Sequence, residues 1–156
     1  MNDPMNAVEG AIPECPIERA HADDLQSIRR LLDTEFLPSA DFDGEALEHF
    51  LVCRDQVGVA GVVGLEFYGE AALLRSLVVT RKHSGRGLGR RLVAAAEQLA
   101  QARGVRAIYL LTTTAESFFK HLRFRRLPRH ETPTAIQASK EFSCLCPSSA
   151  IVMVKP

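Results

Sequence analysis

What the chain lacks narrows it first. It carries no net charge, with 19 Lys and Arg against 19 Asp and Glu, so no overall field draws it to nucleic acid or to an anionic membrane. No segment approaches the roughly 20 apolar residues that a bilayer span requires. The opening residues, MNDPMNAVEGAIPE, have neither the basic start nor the apolar centre of a secretory signal. The four cysteines, Cys15, Cys53, Cys144 and Cys146, show no metal-ligand spacing and no small-scaffold disulfide framework. A reducing cytoplasm and a chemistry without metal are the simplest expectations. No internal repeat or low-complexity tract is present.

What is present has ordinary globular proportions. The 156 residues are 46% hydrophobic and 24% charged, enough for one domain with a sizeable core. Residues 1–13 read as a mobile lead-in and 14–156 as the domain. A short strand is expected over Cys15–Arg19. A helix follows from Ala22-Asp23-Asp24, with Leu25, Ile28, Leu31, Leu32 and Phe36 on its apolar face and Pro38 as its stop. Glu45–Phe50 reads as a short second helix. Phe50–Arg54, Val57–Tyr68 and Ala71–Val79 then form an antiparallel meander, because the turns between them are too short for a parallel crossover.

The chain is organised around Ala71–Ala102. An apolar strand ends at Val79, a polar turn runs from Thr80 to Arg86, and from Gly87 onward Leu88, Leu92, Val93, Ala96 and Leu99 recur at helical spacing. The first amides of such a helix have no carbonyl partners and lie at the positive end of its dipole. Gly85, Gly87 and Gly89 leave room for close approach, and Arg81, Lys82, Arg86, Arg90 and Arg91 crowd the same end. That combination suits a polyphosphate. A nucleoside-triphosphate loop is excluded by the missing Gly-Lys-Ser/Thr, and the alternate spacing of the glycines does not fit a dinucleotide fingerprint. Beyond it, a strand over Val105–Leu111, parallel to the organising strand, a helix over Ala115–Leu122 and a last strand over Ala150–Val154 complete the pattern.

Leu77-Val78-Val79 followed by Ser84-Gly85-Arg86-Gly87-Leu88-Gly89 resembles the acyl-CoA-binding segment of the GNAT superfamily of N-acetyltransferases, with Ser84 where Arg or Gln is usual. Phe118-Phe119-Lys120-His121-Leu122-Arg123-Phe124 resembles that family's later F-Y-x-x-x-G-F run, with Arg123 in place of the glycine. Phe119 stands where many members have a tyrosine that protonates the departing thiolate, and a phenyl ring cannot donate. Arg75–Val79, Thr112–Ala115 and Ala138-Ser139-Lys140 are similar to the acetyltransferase module of N-acetylglutamate synthases. The tail from Glu141 to Pro147 is similar to small acetyltransferases associated with arsenic resistance.

The resemblance implies an α/β (α+β) fold, a mixed and mostly antiparallel splayed sheet flanked by helices, and a homodimer. It implies acetyl-CoA held by Leu77, Val78, Val79, Ser84, Gly85, Arg86, Gly87, Leu88, Gly89, Arg90, Thr112, Phe118 and Phe119. The backbone N–H near Val78 or Val79 would polarise the thioester carbonyl. Glu66, His121 or His83 would take the ammonium proton, although each also reads as a solvated surface residue. Arg75, expected by alternation to share a face with Leu77 and Val79, needs an anionic partner. That partner is either a substrate carboxylate, with Ser139 and Lys140 completing the clamp, or an internal Glu66 or Glu70. The implied reaction is N-acetylation of a small amino acid or an amino-acid-like, arsenic-containing compound. Its rivals are a polyamine or protein N-terminal acceptor, and a non-enzymatic acyl-CoA or metalloid sensor, for which Cys144 and Cys146 supply a C-x-C.

Overall fold

The computed structural model describes residues 15–35, 37, 46–145 and 149–156. The lead-in, Phe36, Pro38, the polar stretch to Gly44, and the side chains of Cys144 and Cys146 lie outside the described residues. Seven strands follow the order β1-β2-β3-β4-β5-β7-β6: β1 Ile17–Arg19, β2 Phe50–Arg54, β3 Val59–Tyr68, β4 Ala71–Val79, β5 Ala107–Thr112, β6 Arg125–Leu127 and β7 Ile151–Lys155. The chain divides into two compact units, Met1–Gly64 with Ser76–Ala95, and Leu65–Arg75 with Ala96–Pro156.

In the first unit β1 and β2 pair antiparallel, as do β2 and β3. Helix α1 (Leu25–Thr34) buries Ile28 and Leu32. These pack in one cluster with Phe50, Val52, Val62 and Val78, while Leu25 and Leu31 flank it. The spacing is the helical one expected, and each such aliphatic contributes about 1.5–3 kcal/mol by leaving water. Two glycines of β3 are there for space. Gly64 lies opposite Phe50 in register, and a Cβ on it would fall within 2.8 Å of three carbons of that ring. At Gly61 a Cβ would come to 2.9 Å from Leu92 Cδ1, so helix α2 (Leu88–Ala102) seats its first turns directly on the strand.

The short helix expected before β2 is a single 3-10 turn, Ala46–His49, since Phe50 is already committed to the sheet. Two expectations change. Cys15 and Cys53, 38 residues apart with Cα atoms 5.6 Å from each other, are disulfide-bonded; the pairing comes from β1–β2 register, which spacing alone does not show. Ser76 has φ 61°, so strict alternation along β4 is interrupted. Alternation through Ser76 therefore does not tie Arg75 to the face of Leu77 and Val79.

In the second unit β4 runs parallel to β5 over Ala71–Leu73 and Ala107–Tyr109, while β5 pairs antiparallel with β7 from Ile108 to Thr112. Helix α3 (Glu116–His121) follows β5, and the Thr112 hydroxyl accepts the Ala115 amide at 3.0 Å to shape the turn between them. Before the last strand the chain holds helix α4 (Thr134–Gln137) and a π-helical turn, Glu141–Leu145.

Candidate functional site

The first candidate lies within the first unit. After β4 the chain makes a 3-10 turn, Arg81–His83, and reaches α2 through Ser84–Gly87. Gly85 and Gly87 have φ 77° and 88°, a region that side-chain-bearing residues enter only at a cost. Nothing lies within 4 Å of where a Cβ would stand on either. The segment is thus a glycine-shaped opening at the mouth of a 15-residue helix. Arg81, Lys82, Ser84, Arg86 and Arg90 are exposed around it, while Leu88 is buried beneath. Unpartnered helix amides, the positive dipole end and nearby guanidinium groups fit a diphosphate. Arg91, expected in the same cluster, is used differently: its Nη2 donates to the Cys15 carbonyl at 2.9 Å. Leu77 and Val79 are half-buried and Val78 is buried.

The second candidate lies within the second unit and gathers around Arg75, whose side chain is 2% exposed. Its Nη1 donates to Glu66 Oε2 at 2.8 Å, and its Nε lies 3.4 Å from Glu141 Oε1. Of the partners open in the sequence, Glu66 is present and Glu70 is engaged instead with Arg106. Glu141, itself buried, is a further partner. The Tyr68 hydroxyl donates to Glu66 Oε1 at 2.5 Å. Burial, then this hydrogen bond, pushes the Tyr68 phenol well above its ordinary pKa, and the Ser139 hydroxyl meets the same oxygen. Ser139 is buried and also accepts the Phe142 amide at 3.2 Å; Lys140 is exposed. Tyr68 and Glu141 were missed in the sequence. Tyr68 had a signal, since it stands two residues beyond Glu66 in a strand and so on the same face; Glu141 had none beyond its place two residues after Ser139.

The remaining predicted residues separate. Phe119 is buried, with its ring edge-on to Phe118 at 5.0 Å and to Phe124 at 5.5 Å, whereas Phe118 is exposed. His121 is exposed on α3 and its Nδ1 lies 2.7 Å from the Ser117 carbonyl. His83 is not a surface residue: it is 2% exposed, with Nδ1 3.0 Å from Thr80 Oγ1 and Nε2 3.5 Å from Asp55 Oδ2. With both ring nitrogens engaged in the interior, it is no candidate base. A pocket of about 340 Å³ between β6 and β7, lined by Arg126–Arg129 and Ala150–Val152, contains none of the predicted residues. Among the described residues no cluster of three metal-ligating side chains occurs, and no helix is long and apolar enough to cross a membrane.

The family model for the Acetyltransferase (GNAT) family matches residues 16–124, and the chain belongs to that family. An uncharacterized N-acetyltransferase of Chlorobaculum tepidum is 30% identical over 93 residues, 59% of this chain and 59% of that protein. The chain thus spans less than two thirds of that relative's length. The N-acetylglutamate synthase of Neisseria gonorrhoeae, solved with coenzyme A and N-acetyl-glutamate, superposes with a TM-score of 0.78 at 18% identity, covering 90% of this chain and 34% of that one. Rv2747 of Mycobacterium tuberculosis, solved with CoA and NLQ, gives a TM-score of 0.74 at 20% identity over 89% of this chain and 97% of that one. At such identities the likeness is one of fold.

Proposed function

We propose that this chain transfers the acetyl group of acetyl-CoA to the amino group of a small amino acid or an analogue of one. The observation that carries the reading is the pair of left-handed glycines, Gly85 and Gly87, at the N-terminal mouth of α2, where a helix's first amides have no carbonyl partners within it. Ser84 to Arg90 would hold the diphosphate through backbone N–H groups and flanking cations, with Leu77, Val78, Val79, Thr112, Phe118 and Phe119 as further contacts. When bound, acetyl-CoA supplies an acetyl thioester and a thiolate leaving group. The backbone N–H at Val78 or Val79 would face the carbonyl oxygen, where charge develops. Glu66 would take the ammonium proton of the acceptor, directly or through water, and so free the neutral amine that attacks the thioester. Tyr68, kept protonated by burial, holds that carboxylate in place as a donor.

Arg75, Glu66 and Glu141 together sum to one negative charge, so the cluster favours the ammonium end of an acceptor. Its carboxylate end would meet Lys140, Ser139, or Arg75 after displacement of a glutamate. The amino-acid reading draws support from the N-acetylglutamate synthase likeness, whose structure holds N-acetyl-glutamate together with coenzyme A. An arsenic-containing amino-acid analogue belongs to the same class. A homodimer is part of the proposal and light scattering checks it. A cytoplasmic location is likewise part of the proposal.

Thiol release from acetyl-CoA over a panel of amino acids, arsenic analogues and simple amines tests the acceptor. Turnover of amines and amino acids with equal kcat/KM removes the amino-acid reading. Calorimetry with coenzyme A tests the loop: Gly87→Glu, strained at its φ and bearing an anion, is expected to abolish binding. Unchanged affinity would remove the assignment.

A further inference from the structure

The cofactor loop contains two left-handed glycines and exposed side chains, yet a diphosphate is bound well only if the loop amides already converge. Something must hold its entrance. Thr80 is fixed by its amide, which donates to the Ala60 carbonyl of β3 at 2.9 Å. His83 closes the 3-10 turn, its amide donating to the Thr80 carbonyl at 3.0 Å, and its ring continues inward between two partners. Thr80 Oγ1 lies 3.0 Å from Nδ1 and Asp55 Oδ2 lies 3.5 Å from Nε2. Each ring nitrogen thus faces an oxygen with which it can share a hydrogen bond.

Asp55 is itself pinned. Its Oδ1 accepts the amides of Val57 at 2.8 Å and Gly58 at 3.0 Å, and its own amide donates to the Gly58 carbonyl. Burial alone would raise this carboxyl, but those amides, then His83 and Lys82, hold it below its ordinary pKa. One carboxylate therefore organises the β2–β3 turn with one oxygen and receives the histidine with the other. All of these groups belong to the first unit.

We infer that Asp55 and His83 form a positioning pair for the cofactor loop, with His83 fixing the backbone two residues before Gly85 so that the loop amides are preorganised for the diphosphate. The inference rests on the loop assignment above. Neither residue touches the cofactor or the reacting atoms; the pair acts by lowering the ordering cost of binding.

Calorimetry with coenzyme A on wild type, His83→Ala, Asp55→Asn and the double variant decides it, alongside trypsin digestion at Arg81, Lys82 and Arg86. Each single variant is expected to weaken coenzyme A binding by about tenfold. Each should also speed cleavage within the loop and reduce the protection that coenzyme A gives. The double variant should be no weaker than His83→Ala, because the two residues act as one unit. Asp55→Asn keeps an oxygen for the Val57 and Gly58 amides, so it carries the test if His83→Ala fails to fold. A folded variant that binds coenzyme A as wild type does overturns the pair. Fully additive losses, or loop cleavage at the wild-type rate, overturn it as well. A wild-type chain that does not bind coenzyme A overturns instead the loop assignment on which the pair depends.

Discussion

Arg123 ends helix α3 in a backbone conformation made for glycine. Its φ is 75°, the Phe124 amide donates back to the Phe119 carbonyl, and the Arg123 amide donates to the Lys120 carbonyl, both at 3.0 Å. These are the two bonds of a Schellman cap, and the apolar contact that accompanies it is the Phe119–Phe124 ring pair. The arginine is exposed, so little packing opposes its removal. A residue with a Cβ in the left-handed region costs about 1–2 kcal/mol relative to glycine. The looser unfolded chain that glycine brings offsets about 0.4–1 kcal/mol of this. Arg123→Gly is therefore expected to stabilise the protein by about 0.5–1 kcal/mol, raising the melting temperature by about 1–4 °C. Arg123→Ala removes the charge but keeps the Cβ, and should stay within about 0.5 kcal/mol of wild type. Urea unfolding and thermal melts of the three proteins measure this. A glycine variant that unfolds at or below the alanine variant refutes the strain argument.

Packing supplies a second test. Gly64→Ala drives a methyl into the buried Phe50 ring and should cost about 1–3 kcal/mol in urea, with Phe50→Leu in the same chain restoring part of it. Asp24 is held below its ordinary pKa of 3.8 chiefly by the hydrogen bond from Arg54. Its contribution is thus full above that value and fades as pH falls through the lowered one. Asp24→Asn should lose about 1 kcal/mol at neutral pH, the pair being partly exposed, and the gap to wild type should close in acid; a gap that widens there contradicts the assignment. Arg75→Met takes the cation from beside buried Glu141 and should destabilise by about 3–5 kcal/mol. Adding Glu141→Gln should recover part of that loss, and equal stability of wild type and Arg75→Met would show the cluster to be energetically idle.

Much of the fold was legible because its signals are local. Leu25, Ile28 and Leu32 repeat at helical spacing, and the strand–glycine–helix junction announces itself through apolar runs and Gly85 and Gly87. The missing glycine at Arg123 was visible as a departure from a pattern, although not its left-handed φ. What escaped depends on residues far apart in sequence. His83 reads as a loop histidine until Asp55 is seen beside it, and Glu141 becomes a partner of Arg75 only through the tail's return to the sheet. The interruption at Ser76 was invisible for another reason: nothing in Arg75-Ser76-Leu77 distinguishes a kinked strand from a straight one. The tail's helix followed Pro133, a legible start, but four residues are too few for a periodic signal.

Hairpin tips are where engineers usually splice affinity tags, fluorophores or foreign peptides, on the ground that exposed turns tolerate them. The tip between β2 and β3 is a poor place for such a graft despite Val57 being 85% exposed, since its Asp55 carboxylate also faces the His83 ring. A label inserted there would be felt at the mouth of α2, some thirty positions downstream in the chain.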